Sequence, residues 1–519
     1  MKRKGRIVLL ITAAVFFALL FLLTRLERGA AAATIRSFSD ALWFAMTTLT
    51  TVGYGDLYPV TAAGRLIGVV LELLSLGALV FLFTVIFSSL REAILPRIRL
   101  FFAREQDWYC FSSRSAAAEA LASAVAAQGG GRALPIFYGQ EGTSTVKDAF
   151  LCVPFQAEEL IRRRGERGRI SFFCMDESSQ KNEAAARALA EKGVRVYCLS
   201  EHETEHSPAG LVFFDPHEAC ARLYWQRFPI LSPTERVVLI GEGKNAEALL
   251  EQALLVNVLD PAQKIRYRVY GDWEEFSLNH PQLRRFCGEE ESKGDCLIFA
   301  AQPWRAEAEE LQQAERVIVC FDDEEKTLRE LTALRRYFPV SAAVHAKLSV
   351  PFDGVQRFGG TEEIFSPALV MREKLSRLAR YLHETYRASV SDAPAWEELG
   401  SFTRRSNLAA ADHLAVKLRI LLGDEGTDAS DTERCEKAAA LFEATDGAAR
   451  ERLRRIEHER WSRFHWMNNW SYDEHRDNAR RRHPLLRPFD ELSEEEQAKD
   501  DFSWQMIRLL CKPDGKDRT

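Results

Sequence analysis

Residues 39–56 read SDALWFAMTTLTTVGYGD, and this stretch decides how the first part of the chain is built. As a helix its apolar portion rises only ~1.5 Å per residue and is too short to cross a bilayer. It reads as a re-entrant helix, capped at Ser39 or Asp40, that ends partway through the membrane. The carbonyl end of such a helix is the negative end of its dipole and favours a cation beyond it. The segment Thr51, Val52, Gly53, Tyr54, Gly55 follows. Carbonyls that all face one way need unusual dihedrals at alternate positions, and Gly53 and Gly55 adopt positive φ without a Cβ clash. The Thr51 hydroxyl adds one more oxygen at the inner end, while Val52 and Tyr54 pack outward.

Two long apolar runs flank this stretch, residues 7–23 after Lys2, Arg3, Lys4 and Arg6, and residues 66–90. Roughly 20 apolar residues cross ~30 Å of hydrocarbon, so each run reads as a span. A cleaved signal peptide has the same basic flank, but no small-x-small site closes the first run before Thr24, and a second run follows. Arg91, Arg97, Arg99 and Arg104 lie after the second run, so the positive-inside rule puts both termini in the cytoplasm of a cell (inner) membrane protein. Glu72 is the one acid in the second span; it lines a cavity or sits buried behind the re-entrant helix. Gly77 bends that span as a gating hinge or serves close helix packing. No repeat of arginines suggests voltage sensing.

The run from Thr51 to Asp56, between two spans and after a short helix, is the filter signature of potassium channels. Residues 1–95 resemble bacterial two-helix potassium channels, and residues 57–61 (LYPVT) with Gly64, Arg65 and Leu66 are similar to their outer mouth. The resemblance implies K⁺ as the permeant ion and a homotetramer in a lipid bilayer, since one loop cannot close a ring of carbonyls. Three departures stand out. Thr47 occupies the place of a Glu that binds the Asp after the filter in some relatives, leaving Asp56 without that partner. Phe44 replaces one of two paired tryptophans beside Trp43, and Ser75 stands where several relatives have the hinge Gly.

Beyond Arg104 the pattern changes to that of a water-soluble protein. Strand-like runs at 108–111, 149–153, 170–175, 194–199 and 210–214, with helices at 116–128 and 181–192, imply a parallel sheet covered by helices. A second series, 236–240, 265–270, 296–300, 316–321 and 342–346, repeats the plan. Here Gly241-x-Gly243-x-x-Ala246 follows a strand in the form of a dinucleotide loop, with Asp272 two residues beyond the usual place of the ribose-binding acid. The rival reading is a tight structural turn. The first lobe has Ser112, Ser113, Arg114 and Ser115 where glycines would sit, and Arg114 is its one anion-binding candidate. Over about residues 105–370, tandem lobes behind a two-span pore resemble the regulator-of-conductance (RCK/TrkA-N-type) domains of prokaryotic channels, which implies a ligand-gated ring, with a nucleotide or dinucleotide as the candidate regulator.

Residues 356–361 read as a linker, and the rest is helical and aromatic-rich. The ordered motifs at 457–462 (EHERWS), 469–472 (NWSY), 483–486 (HPLL), 488–492 (PFDEL) and 499–500 (KD) resemble the RyR domain, the repeat named for ryanodine receptors. Arg460, Trp461, Trp470, Tyr472 and His483 could form a cationic, aromatic pocket for a nucleotide-like small molecule, or they are the core of a small helical domain. Residues 404–407 belong to a segment that often precedes such repeats.

The expected architecture is an α-helical two-span membrane pore domain (1–95), a degenerate Rossmann-like α/β lobe (105–230), a second such lobe (231–370) and an α-helical RyR-like domain (371–519). A net charge of −6 gives no sign of a nucleic-acid partner. The 10 cysteines have no C-x-x-C spacing and read as buried apolar residues, without metal. No nucleophile or metal set supports an enzyme. A membrane-tethered nucleotide-processing enzyme, or a stress-signalling effector with a secondary pore, is the alternative to a ligand-gated channel.

Overall fold

The computed structural model describes residues 3–89, 95–139, 150–165, 168–201, 208–288, 294–390, 392–423 and 431–511. The chain divides into two units, one ending at Ala103 and one beginning at Arg104.

In the first unit α1 (Arg3–Glu27), α2 (Phe38–Leu49) and α3 (Ala62–Ser89) are followed by the short α4 (Leu95–Phe102). Leu20 and Leu23 of α1, Ala41, Phe44 and Ala45 of α2, Leu71 of α3 and Ile35 form its core. Among the described residues no helix is long and apolar enough to cross a membrane. α3 runs unbroken through Gly77, and a Cβ there would meet nothing within 4 Å. The described residues of α3 expose Leu66, Leu73, Leu76, Phe83 and Phe87, and Glu72 is exposed rather than tucked behind α2.

The second unit opens with a six-stranded sheet of β1 (Asp107–Phe111), β2 (Ala133–Phe137), β3 (Leu151–Cys152), β4 (Ile170–Cys174), β5 (Arg195–Leu199) and β6 (Leu211–Phe214). Its order is β3-β2-β1-β4-β5-β6 with every pair parallel, the order of a doubly wound dinucleotide fold. In-register aromatics from four neighbouring strands stack on one face. Phe137, Phe111, Phe173 and Tyr197 have successive centroids 5.3, 4.7 and 4.9 Å apart. Helices α5 (Ala116–Gln128), α6 (Ala157–Arg164) and α7 (Ser179–Ala190) connect the strands, and α8 (Pro216–Arg227) leaves the lobe.

The second lobe contains β7 (Arg236–Glu242), β8 (Arg266–Tyr270), β9 (Cys287–Gly288), β10 (Asp295–Phe299), β11 (Arg316–Phe321), β12 (Ala343–Lys347) and β13 (Gln356–Phe358). The order β13-β12-β11-β7-β8-β10-β9 is again parallel throughout, with the winding reversing between β7 and β11. Helices α9 (Lys244–Val256), α10 (Glu274–Asn279), α11 (Ala308–Gln312) and α12 (Glu324–Tyr337) belong to it. The stretch read as a linker begins as strand β13, because residues 356–358 pair with β12.

The lobes are interlocked. α8 places Cys220, Ala221, Tyr224 and Trp225 in the core of the second lobe, not the first. After the second lobe, α13 (Thr361–Ile364) and α14 (Pro367–Val370) return, and Val370 enters the core of the first. The boundaries expected at 230 and 370 therefore fall within shared packing. The C-terminal helices α15 (Lys374–Ser389), α16 (Ser401–Leu422), α17 (Asp431–Ala444) and α18 (Gly447–Met467) are joined to it by buried charge. Arg222 on α8 grips Asp412 on α16 through two hydrogen bonds of 2.7 and 3.0 Å. Arg463 on α18 meets Asp295 on β10 at 2.7 Å, both buried. Among the described residues, eight cysteines are free thiols and most are buried, in line with the reading as buried apolar residues, but Cys435 is disulfide-bonded, which that reading did not foresee.

Asp295 also accepts from Ile265 N and Gln263 Nε2, so removing it takes away one of the two carboxylates that Arg463 pairs with, Glu459 being the other, and leaves these two donors without their acceptor. Asp295→Ala should cost about 3–5 kcal/mol in urea unfolding of the full chain, and Asp295→Leu with Arg463→Met should recover much of that loss.

Candidate functional sites

The first site is the loop after α2. Helix α2 is capped ahead of the expected Ser39 or Asp40. Ser37 is the cap, accepting from Asp40 N while Asp40 Oδ2 accepts from Ser37 N at 2.8 Å. The helix ends at Leu49, and the Thr47 carbonyl then accepts from both Val52 N and Gly53 N, at 2.9 and 3.1 Å. Beyond that point the backbone alternates: Thr51, Gly53 and Gly55 have φ of 58°, 54° and 73°. The two glycines adopt the expected conformation, and Thr51 joins them. A β-branched residue with left-handed backbone costs about 1–2 kcal/mol, so the surrounding contacts hold it there.

Several contacts brace the loop. Trp43 Nε1 donates to Asp56 Oδ2 at 3.0 Å, and the Trp43 and Tyr54 rings stack 5.9 Å apart within 6° of parallel. Asp56 thus has Trp43 as a partner in place of the absent Glu. Thr47 is buried with its hydroxyl turned back to the Phe44 carbonyl at 3.0 Å. Glu27, which sequence reasoning missed, anchors the far side of the loop. Buried at the end of α1, it accepts from Val60 N, Thr61 N and Thr61 Oγ1 at 2.9, 3.0 and 2.6 Å. A Cβ on Gly64 would lie 2.0 Å from Glu27 Oε1, so the glycine makes room for the carboxylate. A lone acid closing an apolar run was the available signal.

The second candidate is the loop after β7. Gly243 has φ of 83°, as the dinucleotide reading requires, but Ala246 is buried in the lobe's core. Asp272 is exposed, and its Oδ1 accepts from Glu274 N at the start of α10. The N-terminus of α9, where a phosphate would lie, holds the carboxylate of Asp322 instead. The residues do not fit a dinucleotide phosphate. In the first lobe Ser112, Ser113 and Ser115 bond the backbone of Met175, and Arg114 pairs with Glu119 on α5.

The third is a cavity of about 690 Å³ in the C-terminal region, bordered by α15, α16, α18 and the segment beyond. Arg460, Trp461 and His483 line it as expected, and Ser406 and Asn407 join them. Trp470 and Tyr472 are not among its walls: Trp470 is buried against Phe402, centroids 5.0 Å apart, and Tyr472 is exposed. Sequence reasoning missed Tyr386 and Arg476, and it quoted Lys499 and Asp500 as part of a motif but not as walls of a pocket. Beneath the cavity Glu457 accepts from Lys417 at 2.6 Å and from Arg460 Nη2 at 2.6 Å, all three buried. Arg460 Nη1 has no hydrogen-bond partner among the described residues. Burial lowers the Lys417 ammonium to about 8 and the His483 imidazole to about 4, so His483 is neutral at pH 7. Burial, and then the Glu457 charge, raises the Asp500 carboxyl to about 8.

Residues 6–92 match the ion-channel family model, and residues 440–512 match the RyR domain. A voltage-gated potassium channel of Aeropyrum pernix is 44% identical over 62 residues, 12% of this chain and 21% of that protein. A potassium voltage-gated channel subfamily A member 6 of Mus musculus is 41% identical over 61 residues, 12% of this chain and 10% of that one. The chain thus spans a small part of these relatives. Among solved structures, GsuK bound to ADP aligns with TM-score 0.33 and 13% identity over 70% of this chain and 99% of that one. A GsuK channel bound to NAD gives TM-score 0.33 and 12% identity over 73% and 86%.

Asp500 sets a pH dependence. Its folded pKa is raised above the usual carboxylate value, so the folded state holds a proton that the unfolded state releases above about pH 4. Stability should fall as pH rises from about 4 to about 8. Asp500→Asn should flatten that part of the profile in thermal unfolding between those limits.

Proposed function

We propose that this chain is one subunit of a tetrameric potassium-selective channel, with the apolar runs 7–23 and 66–90 as its membrane spans and a cytoplasmic region that responds to a small ligand. The observation that carries the reading is the alternation of left-handed backbone at Thr51, Gly53 and Gly55. Turning every second residue brings successive carbonyls to one side, so four copies around an axis would replace a cation's water shell with protein oxygens. The C-terminal end of α2 adds negative potential at the inner end of that row. The apolar side chains that α3 exposes would meet lipid or neighbouring copies. The match of residues 6–92 to the ion-channel family and the local identity to potassium channels support the same reading.

The regulatory ligand would be nucleotide-like, taken by the C-terminal cavity. Arg460 Nη1 is available for an acceptor there, and Trp461 and Tyr386 offer aromatic surface. Such a ligand shifts the pore by its difference in affinity for open and closed states, passed along the chain that joins α3 to β1. No catalytic step is assigned to the chain. The membrane field supplies about 2.3 kcal/mol per charge per 100 mV for permeation.

In reconstituted liposomes the full-length protein should pass potassium in preference to sodium, with flux altered by one or more of AMP, ADP and NAD. Gly53→Ala, which forces a Cβ onto a left-handed position, should abolish selective flux. Equal passage of sodium and potassium by the unmodified protein would refute the proposal.

A further inference from the structure

The loop after β7 carries a glycine pattern that a pyrophosphate would explain, yet each glycine has an internal reason. A Cβ on Gly241 would lie 2.0 Å from the Cys320 carbonyl of the adjacent strand and 3.3 Å from the Ala246 Cβ. A Cβ on Gly243 would lie 2.3 Å from Asp322 Oδ2. Asp322 follows β11, across the point where the sheet winding reverses. Its Oδ2 accepts from Lys244 N at 3.0 Å, and its Oδ1 from Asn245 N at 3.0 Å and Asn245 Nδ2 at 2.6 Å. These are the first amides of α9, the groups that hold phosphate in this kind of fold.

The neighbouring charges are committed in the same way. Lys244 pairs with Glu201, and Lys326 with Glu242. Burial works against the Asp322 charge, but the hydrogen bonds from Asn245 and Lys244 hold its carboxyl below the usual range, so it is ionised at neutral pH. Glu247 in the first turn of α9 is pushed up by burial and then by Glu275 and Asp322. An arriving phosphate would meet Asp322, Glu242 and Glu247 together.

We propose that Asp322 is a built-in substitute for phosphate: the second lobe is liganded by its own chain, holds no dinucleotide, and leaves regulation to another site. The cradle keeps its capacity for an anion and is filled from within. This goes beyond the channel reading and stands or falls without it, since it is read by binding and stability, not by flux.

The test uses the full-length wild-type protein and Asp322→Ala, photolabelled with 8-azido-ADP and mapped by peptide. Their unfolding midpoints are also compared in inorganic phosphate and in chloride of equal ionic strength. The wild type should carry no label on any peptide of the second lobe, residues 236–358. The variant should unfold roughly 2–4 °C lower, as for a lost helix cap, and phosphate should raise its midpoint more than that of the wild type. If Asp322→Ala does not fold, Asp322→Asn, which keeps the shape and one acceptor oxygen, is read by the same comparison. Label on the second lobe of the wild type, or a variant that phosphate restores no more than the wild type, overturns the proposal.

Discussion

A peptide backbone in an ordinary extended strand points successive carbonyls in opposite directions, and only a reversal of hand at alternate residues brings them to one side. That constraint governs the first unit. It explains glycine at two of three positions and makes Thr51, with φ of 58°, the strained one. Everything nearby braces the loop from outside. Trp43 holds Asp56 and stacks on Tyr54, the Thr47 carbonyl gathers two amides, and Glu27 ties down residues 60 and 61. None of these groups needs to touch an ion. Their work is to make an unfavourable backbone the lowest state available.

The second unit solves a different problem with buried charge. Its two sheets and helical C-terminal region are joined by Arg222–Asp412 and Arg463–Asp295, each removed from water and each with further hydrogen bonds. Pairs of that kind add little net stability against an apolar alternative, but they penalise any other docking heavily. Helix α18 places Arg460 at the cavity and Arg463, three residues on, in the second lobe. Cavity and sheet are therefore linked by less than one helical turn.

Much of this was legible in the sequence where the signal was local. The strand runs at 170–174, 195–199 and 316–321, the α9 loop and the left-handed glycines follow from periodicity and backbone chemistry. Strand β2 was missed, and Pro135 in its middle is a residue that weighs against a strand. Yet β3 pairs only with Ile136 and Phe137, so at Pro135 this edge of the sheet has no neighbour needing its missing N–H. Helix α8 was missed despite Asp215 as its cap and Pro216 in its first turn. At the candidate sites the failures were long-range. Glu27 reaches residues 33 and 34 further along, and Asp322 returns to a loop 77 and 78 positions earlier. Arg460, Trp461 and His483 came together as expected, whereas Trp470 and Tyr472 parted from them because residue order says nothing about which wall a side chain joins.

The interlocking of the lobes sets an order of assembly on the ribosome. The first sheet leaves the exit tunnel well before Val370, which belongs to its core, has been translated. Until then that face of the nascent sheet is incomplete, while α8 waits for the strands that will cover Trp225. The first lobe's core is thus complete only after the second lobe has been made, and the apolar face of α8 is covered only once the second sheet is in place.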